Sequence, residues 1–119
     1  MPKEPLTPIE VAWLAGLLEG EGCFTTRGNK TTRWANGDPK LYPRIVVAMT
    51  DRDVVARAAE LMGSYEPKIG RRKPPQQDMW WTELGKGAEV LDIMEQVLPL
   101  MGERRSKRIK ELMEMMAYS

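Results

Sequence analysis

The residues best suited to chemistry lie in one short segment, residues 13–24, which reads WLAGLLEGEGCF. Two carboxylates, Glu19 and Glu21, stand near its end, and the whole chain contains no histidine. The commonest general base and transition-metal ligand is therefore missing. Any hydrolytic chemistry would depend on carboxylates, on Lys or Arg, and on a hard cation such as Mg²⁺ that prefers oxygen ligands.

Ahead of the carboxylates, Ala12, Gly16 and Gly20 are spaced four residues apart and share one face of a predicted helix. Each glycine costs a helix about 1 kcal/mol of stability relative to alanine, so the presence of glycines on this face requires an explanation. Faces of small residues let two helix backbones approach closely. Two Glu21 side chains meeting at such a seam would repel unless a divalent cation lay between or beside them. The alternative is a glycine cap followed by a solvated acid, and these physical arguments favour neither.

The composition predicts one domain over residues 1–119, with 42% hydrophobic and 29% charged residues. No apolar run is long enough to span a bilayer, so no membrane partner is expected. The start of the chain lacks the apolar stretch of a signal peptide, which predicts an intracellular, cytoplasmic protein. The single cysteine, Cys23, excludes an internal disulfide or a cysteine zinc site and fits a reducing compartment.

Net charge is only +1, but the basic residues are unevenly distributed. Residues 27–52 carry an excess of four positive charges, and residues 71–73 and 104–110 form two further basic clusters. The acidic residues gather in predicted helices instead. Basic strands and loops set against acidic helices indicate a sheet that faces a polyanion.

Helical and strand patterns alternate in the order α-β-β-α-β-β-α-α. Thr7, Pro8 and Glu10 form a capping box that starts the first helix, which should end at Gly20 or Gly22. Residues 28–40 are predicted as a long hairpin loop. Two hairpins separated by a helix predict an α+β fold, with one four-stranded antiparallel sheet and the helices on a single face. The pattern does not decide which of the tryptophans at positions 80 and 81 faces the core.

Residues 14–22, LAGLLEGEG, closely resemble the signature of the LAGLIDADG homing endonucleases. The stretches RIVVAMTDRDVVARAAELMG and VLPLMGERRSKRIKELME are also similar to single-motif members, so the resemblance covers nearly the whole chain. It implies an αββαββα core with a saddle-like sheet. It also implies a subunit interface formed by the signature helix through Ala12, Gly16 and Gly20.

The resemblance further implies the site residues. The final acid of the motif, Glu21, would be the metal ligand, helped by the backbone carbonyl of Gly20, and Glu stands here where the family usually has Asp. Glu19 matches a capping position and would serve structure. A basic side chain near the active site matches Arg104 or Arg105, with Lys107 as a further candidate.

On this basis the open sheet face would lie along the major groove of DNA. By strand alternation, the groove-facing residues should be Thr25, Arg27, Tyr42, Arg44 and Lys68. The loop residues Lys30, Arg33, Arg71, Arg72 and Lys73 would reach phosphates or flanking bases. The alternative for each of them is a solvated surface charge.

The expected function is a site-specific endonuclease of intron or intein mobility, which cleaves double-stranded DNA as a homodimer at a near-palindromic site. Mg²⁺ would be the cofactor, with Mn²⁺ or Ca²⁺ able to replace it in binding, and no organic cofactor is expected. Two alternatives remain. One is a non-cleaving nucleic-acid-binding module of the same fold, an RNA-splicing maturase or a DNA regulator. The other is a dimeric interaction protein without a nucleic-acid partner.

Overall fold

The structure is a computed structural model that describes residues 5–33, 35, 37 and 39–117, with only the backbone described for residues 29–32, 39, 40 and 117. The helices and strands occur in the predicted order. Their bounds are α1 Pro8–Glu21, β1 Gly22–Arg33, β2 Pro39–Met49, α2 Arg52–Met62, β3 Lys68–Gly70, β4 Met79–Leu84, α3 Gly87–Val97 and α4 Glu103–Ala117, with a 3₁₀ turn at Leu98–Leu100. Among the described residues, no helix combines the length and the apolar character that crossing a membrane requires.

The four strands form one antiparallel sheet in the order β1-β2-β4-β3. One face of the sheet packs on the helices, and the other is left open. The fully buried side chains of the core come from the sheet and from all four helices, and they include Leu14, Leu18, Ile45, Val47, Val55, Val90, Met94, Ile109 and Leu112. The prediction of an α+β fold with helices on one face of an open sheet is confirmed.

Helix α1 begins as the sequence predicts. The backbone N–H of Glu10 donates to Thr7 Oγ1 at 3.2 Å, and the backbone N–H of Thr7 donates to Glu10 Oε1 at 2.9 Å, which completes a capping box. Leu14 and Leu18 are fully buried on the inner side of the helix. This burial fixes how α1 is rotated and therefore which of its residues remain on the surface.

The predicted hairpin loop over residues 28–40 is wrong. Strand β1 continues to Arg33 and β2 begins at Pro39, since the antiparallel pairing runs on through Gly28 with Leu41 and Asn29 with Lys40. Gly28 and Asn29 are typical turn residues, but here the ladder passes through both of them. The two strands are therefore longer, and the connection between them shorter, than the sequence predicts.

The structure also decides between the two tryptophans of β4. Trp80 packs against the core, and the guanidinium carbon of Arg52 lies 5.1 Å from its ring centroid. Trp81 pairs with Ala48 on β2 and with Lys68 on β3, and it points to the open side of the sheet. The alternation along β4 thus places one aromatic ring on each face.

Candidate active site and nucleic-acid interface

The junction between α1 and β1 positions the Glu21 carboxylate. Glu21 is the last residue of the helix, and the strand begins at Gly22 with no residue in between. The N–H of Gly22 donates to the carbonyl of Leu18. A Cβ on Gly22 would lie 2.8 Å from both Cα and O of Leu18, so no larger residue fits without movement of the backbone. Close approach therefore explains the glycine that follows Glu21.

The junction offers oxygen donors suited to a hard cation. The side chain of Glu21 is exposed. The last four carbonyls of an α-helix have no intrahelical donor, and they include the carbonyl of Gly20. A carboxylate and a backbone carbonyl are the ligand types that Mg²⁺ and Ca²⁺ take. Across the described part of the chain, no three Asp, Glu, Cys or His residues lie together as a metal site.

The outer face of α1 is uncovered. Ile9 is 78% exposed, and Ala12, Gly16 and Gly20 are also exposed. A Cβ built on Gly16 or Gly20 meets nothing within 4 Å. No contact with the described part of the chain therefore requires glycine at these two positions, although each weakens the helix. This face runs along the helix toward Glu21.

Glu19 joins the end of α1 to the start of α4. Its Oε1 accepts a hydrogen bond from the backbone N–H of Gly102 at 3.1 Å. The carbonyl of Gly102 in turn accepts from the N–H of Ser106, which places Gly102 at the N-terminal end of α4. A carboxylate is favourable there because the helix dipole is positive at its N-terminus. The contact holds the two helix ends together on the side of the molecule that carries Glu21.

Helix α4 carries three arginines that differ in solvent exposure and in hydrogen bonding. Arg104 is exposed, whereas Arg105 is half-buried and its Nε, within the described residues, has no hydrogen-bond partner. Arg108, which sequence reasoning missed, donates from Nε to the carbonyl of Phe24 at 3.1 Å and pairs with Glu111 at 3.4 Å. Phe24 lies three residues after Glu21. The four-residue spacing of Arg104 and Arg108 puts both on one side of α4, and this was the available sequence signal.

The open face is the surface of the sheet opposite the helices, and strand pairing defines it. Thr25 pairs with Arg44, and Arg27 pairs with Tyr42. Paired residues share a face. The described side chains of the open face include those of Cys23, Thr25, Arg27, Tyr42, Arg44, Val46, Ala48, Lys68, Met79, Trp81 and Glu83.

All five sheet residues named from the sequence thus lie on one surface. Lys68 is at its edge, where its Nζ lies 4.4 Å from the ring centroid of Tyr65. Arg33 is exposed at the end of β1. The side chain of Lys30 lies outside the described residues.

A carboxylate that sequence reasoning did not single out organises two arginines of the open face. Glu83 Oε1 lies 3.1 Å from Nε of Arg44, and its Oε2 lies 3.0 Å from Nη2 of Arg27. Arg44 also donates from Nη1 to the carbonyl of Gly85. The only sequence signal was one acidic residue in the otherwise uncharged strand β4.

The basic cluster of residues 71–73 lies in the loop between β3 and β4. Asp78 accepts a hydrogen bond from the backbone N–H of Arg72 at 3.0 Å, and Arg72 Nε donates to the carbonyl of Gln77 at 2.7 Å. Arg71 is 80% exposed and its Nη1 lies 3.9 Å from Asp78. Lys73 is exposed as well. The loop therefore holds Arg72 by two bonds and leaves Arg71 and Lys73 extended into solvent.

No protein-family model matches the chain, and no curated protein matches it in sequence. Solved structures do match. One is the homing endonuclease I-CvuI in complex with the I-CreI target in the presence of magnesium, with the DNA not cleaved (TM-score 0.65, 17% identity, 88% of this chain and 64% of that one). Another is the group I intron-encoded homing endonuclease I-CeuI complexed with DNA (TM-score 0.63, 20% identity, 95% and 56%). A third is the LAGLIDADG meganuclease I-AabMI bound to uncleaved DNA (TM-score 0.63, 14% identity, 97% and 40%).

The chain therefore has the fold of the LAGLIDADG homing endonucleases, and it spans less than two thirds of the length of each of these three proteins.

Proposed function

We propose that this chain is a LAGLIDADG homing endonuclease, which as a homodimer cleaves both strands of a near-palindromic DNA site with the help of a divalent metal ion. The carrying observation is the uncovered small-residue face of α1, which leads to Glu21. The signature-like sequence of residues 14–22 and the DNA complexes of the structural neighbours support the same conclusion.

A second copy of the chain is the natural occupant of that face. Ala12, Gly16 and Gly20 leave the backbone of α1 accessible, so two helices can approach more closely than leucine side chains would allow. Such packing brings two Glu21 carboxylates near each other at the ends of the paired helices. A dimer with two-fold symmetry would then carry one Glu21 for each scissile strand and require a site of matching symmetry.

Within the dimer, Glu21 and the carbonyl of Gly20 would hold the metal ion. When bound, Mg²⁺ activates water and stabilises the leaving oxygen of a phosphodiester. Glu19 keeps α4 against the end of α1, so that Arg104, Arg105 or Arg108 can stabilise charge on the phosphate. An arginine does not give up its proton readily, so its contribution is electrostatic and not that of a general base.

The open face would lie over the major groove, where base edges are distinguishable. Thr25, Arg27, Tyr42, Arg44 and Lys68 would face the bases. The charges at the periphery would contact phosphates, which fix the position of the protein but carry no sequence information. They are Lys30, Arg33, Arg71, Arg72 and Lys73.

A non-cleaving binding module of the same fold is the second candidate. Position 21 holds Glu where the family usually has Asp, and the longer side chain changes how far the carboxylate reaches. Such a protein would use the same dimer and the same open face to bind a nucleic acid.

A cleavage selection on a library of randomised DNA duplexes tests the proposal, with Mg²⁺ or Mn²⁺ in parallel arms and EDTA as the control. We expect metal-dependent enrichment of one near-palindromic site cut on both strands. Tight binding to a defined site that is never nicked would favour the binding module, and the absence of duplex binding would contradict both candidates.

A further inference from the structure

Glu83 is an unexpected residue on the open face. It is the one carboxylate among the described side chains of that surface, which is otherwise basic, aromatic or neutral. A carboxylate facing a polyanion opposes binding by charge repulsion. Yet its side chain is only 12% exposed, because two arginines cover it. Because the Glu83 carboxylate weakens the attraction of the open face for phosphate and yet is largely buried there, its contacts point to another role.

The two arginines are held to different degrees. Arg44 is 22% exposed and makes two contacts, from Nε to Glu83 and from Nη1 to the carbonyl of Gly85. Arg27 is 67% exposed and makes one contact, to the other oxygen of Glu83. An exposed single ion pair contributes little stability and is easily exchanged. Arg44 is thus fixed on the sheet, while Arg27 is only loosely retained.

We propose that Glu83 is a positioning residue that fixes Arg44 to recognise one guanine in each half-site of the DNA. The proposal rests on the proposed function to the extent that its ligand is duplex DNA, and it does not require cleavage.

The chemistry of Arg44 supports guanine as the base. A guanidinium carries five N–H groups, of which Glu83 and Gly85 take two, so enough donors remain for a bidentate contact. Guanine presents two acceptors in the major groove, O6 and N7, and arginine is their commonest specific partner. An arginine that is already held in place also loses less side-chain freedom on binding than a free one.

The charge of Glu83 has a second effect. It neutralises one arginine and so lowers the attraction of the face for DNA of any sequence. A larger share of the binding free energy then comes from the base contact of Arg44. When DNA binds and breaks the ion pair between Arg27 and Glu83, Arg27 becomes available to contact a phosphate or a base.

Three variants separate positioning from charge. Glu83→Gln removes the charge and weakens the hold on Arg44. Gly85→Ala changes no charge, but its Cβ would lie 2.7 Å from Cζ of Arg44 and so displaces the guanidinium. Glu89→Gln is the matched control, because Glu89 lies on α3, lines the same cleft as the two arginines and, within the described residues, has no ion pair with either of them.

The measurement is the ratio of affinities for the selected duplex and for the same duplex with the guanine replaced, together with the salt dependence of binding to random duplex. We expect Glu83→Gln and Gly85→Ala to lower the ratio by about tenfold. Glu89→Gln should leave it unchanged. Glu83→Gln should also steepen the salt dependence by about one unit for each additional phosphate that the protein neutralises, whereas Gly85→Ala should not. Partial unfolding lowers both affinities alike and does not move the ratio.

A preference that survives in both Glu83→Gln and Gly85→Ala overturns this proposal and leaves the proposed function standing. A wild-type protein without any duplex binding contradicts the proposed function instead. In that case the Nε–H resonance of Arg44 in the free protein decides the positioning role. We expect that hydrogen to be protected from solvent exchange in the wild type and unprotected in Glu83→Gln, and equal exchange in the two proteins overturns the proposal.

Discussion

The Glu19 carboxylate accepts a hydrogen bond from the backbone N–H of Gly102 at 3.1 Å, across 83 residues of sequence. The acid that precedes Glu21 by two residues is therefore engaged within the chain, whereas Glu21 is exposed. The two carboxylates of the signature segment thus have different environments. One connects α1 to the helix that carries the candidate basic residues, and the other is available to a ligand.

The contact between Glu19 and Gly102 can be measured by a double-mutant cycle. We expect Glu19→Ala to lower the free energy of unfolding by about 1 kcal/mol through loss of the hydrogen bond. Gly102→Ala should cost a similar amount, because its Cβ would collide with Glu19 Oε1. The double variant should be less destabilised than the two costs combined, since the collision disappears with the carboxylate. Urea unfolding measures all four proteins, and strict additivity would show that the contact contributes nothing.

Glu21 should be essential for cleavage but dispensable for DNA binding. Glu21→Gln keeps the size of the side chain and removes the charge that a divalent cation needs, so the cleavage rate should fall by at least about a hundredfold. Affinity for the uncleaved duplex should be retained or rise, because one negative charge is removed near the phosphates. Single-turnover cleavage and binding with Ca²⁺ separate the two effects. Glu19→Gln is the matched control and should retain cleavage.

The length of the side chain at position 21 forms a separate test. Glu21→Asp shortens the side chain by one methylene and keeps the charge. If the cleavage rate rises, glutamate is a working but suboptimal ligand at this junction. A loss of cleavage in Glu21→Asp would mean that the rest of the site has adapted to the longer side chain.

Gly16→Leu should separate dimerisation from folding. Because Gly16 is exposed and a Cβ there meets no described atom within 4 Å, we expect the single chain to accommodate leucine and to retain its far-UV circular dichroism. The same leucine would push two α1 helices apart and yield a monomer in sedimentation at micromolar concentration. Glu95→Leu adds an exposed leucine on α3 and should remain dimeric. A wild-type protein that sediments as a monomer would contradict the proposed dimer interface on α1.

Arg71 should contribute to affinity without contributing to sequence preference. Its side chain is 80% exposed, and its 3.9 Å pair with Asp78 is too weak to keep it from phosphate. Arg71→Ala should weaken binding to selected and random duplexes by the same factor, and it should reduce the salt slope by about one for each phosphate that is no longer neutralised. Lys110→Ala removes the same charge from the exposed side of α4 and should change neither quantity. A change in base preference in Arg71→Ala would contradict the assignment to phosphate.

Much of the fold could be predicted because local signals agreed with one another. The capping box of Thr7 and Glu10 predicted the start of α1, and strand alternation correctly placed Tyr42 and Arg44 of β2 on one face of the sheet. The prediction of a long hairpin loop was wrong because it relied on the turn propensity of Gly28 and Asn29. The pairing of the two long strands overrides that propensity. Propensity is a local quantity, whereas strand pairing depends on a partner that the local sequence does not contain.

The residues that organise the site were harder to find for the same reason. Glu83, Gly85 and Gly102 act through contacts with residues at least 39 positions away, and no local pattern marks them. Trp80 and Trp81 were ambiguous because two adjacent aromatic residues satisfy either register of the strand. Only the pairing of Trp80 with Met49 and Ile69 on the inner face resolves the choice.

The direct passage from Glu21 into Gly22 has a consequence for insertions and deletions. One residue added to α1 ahead of Glu21 would turn the carboxylate by about 100° around the helix axis. One residue added to β1 ahead of Thr25 would shift the register of the strand by one position. If the helix did not move to compensate, Thr25 and Arg27 would then face the helices. Since no linker residue separates helix from strand, neither error can be absorbed between them. Residues 8–28 should therefore vary among related proteins by substitution but not by a change in length.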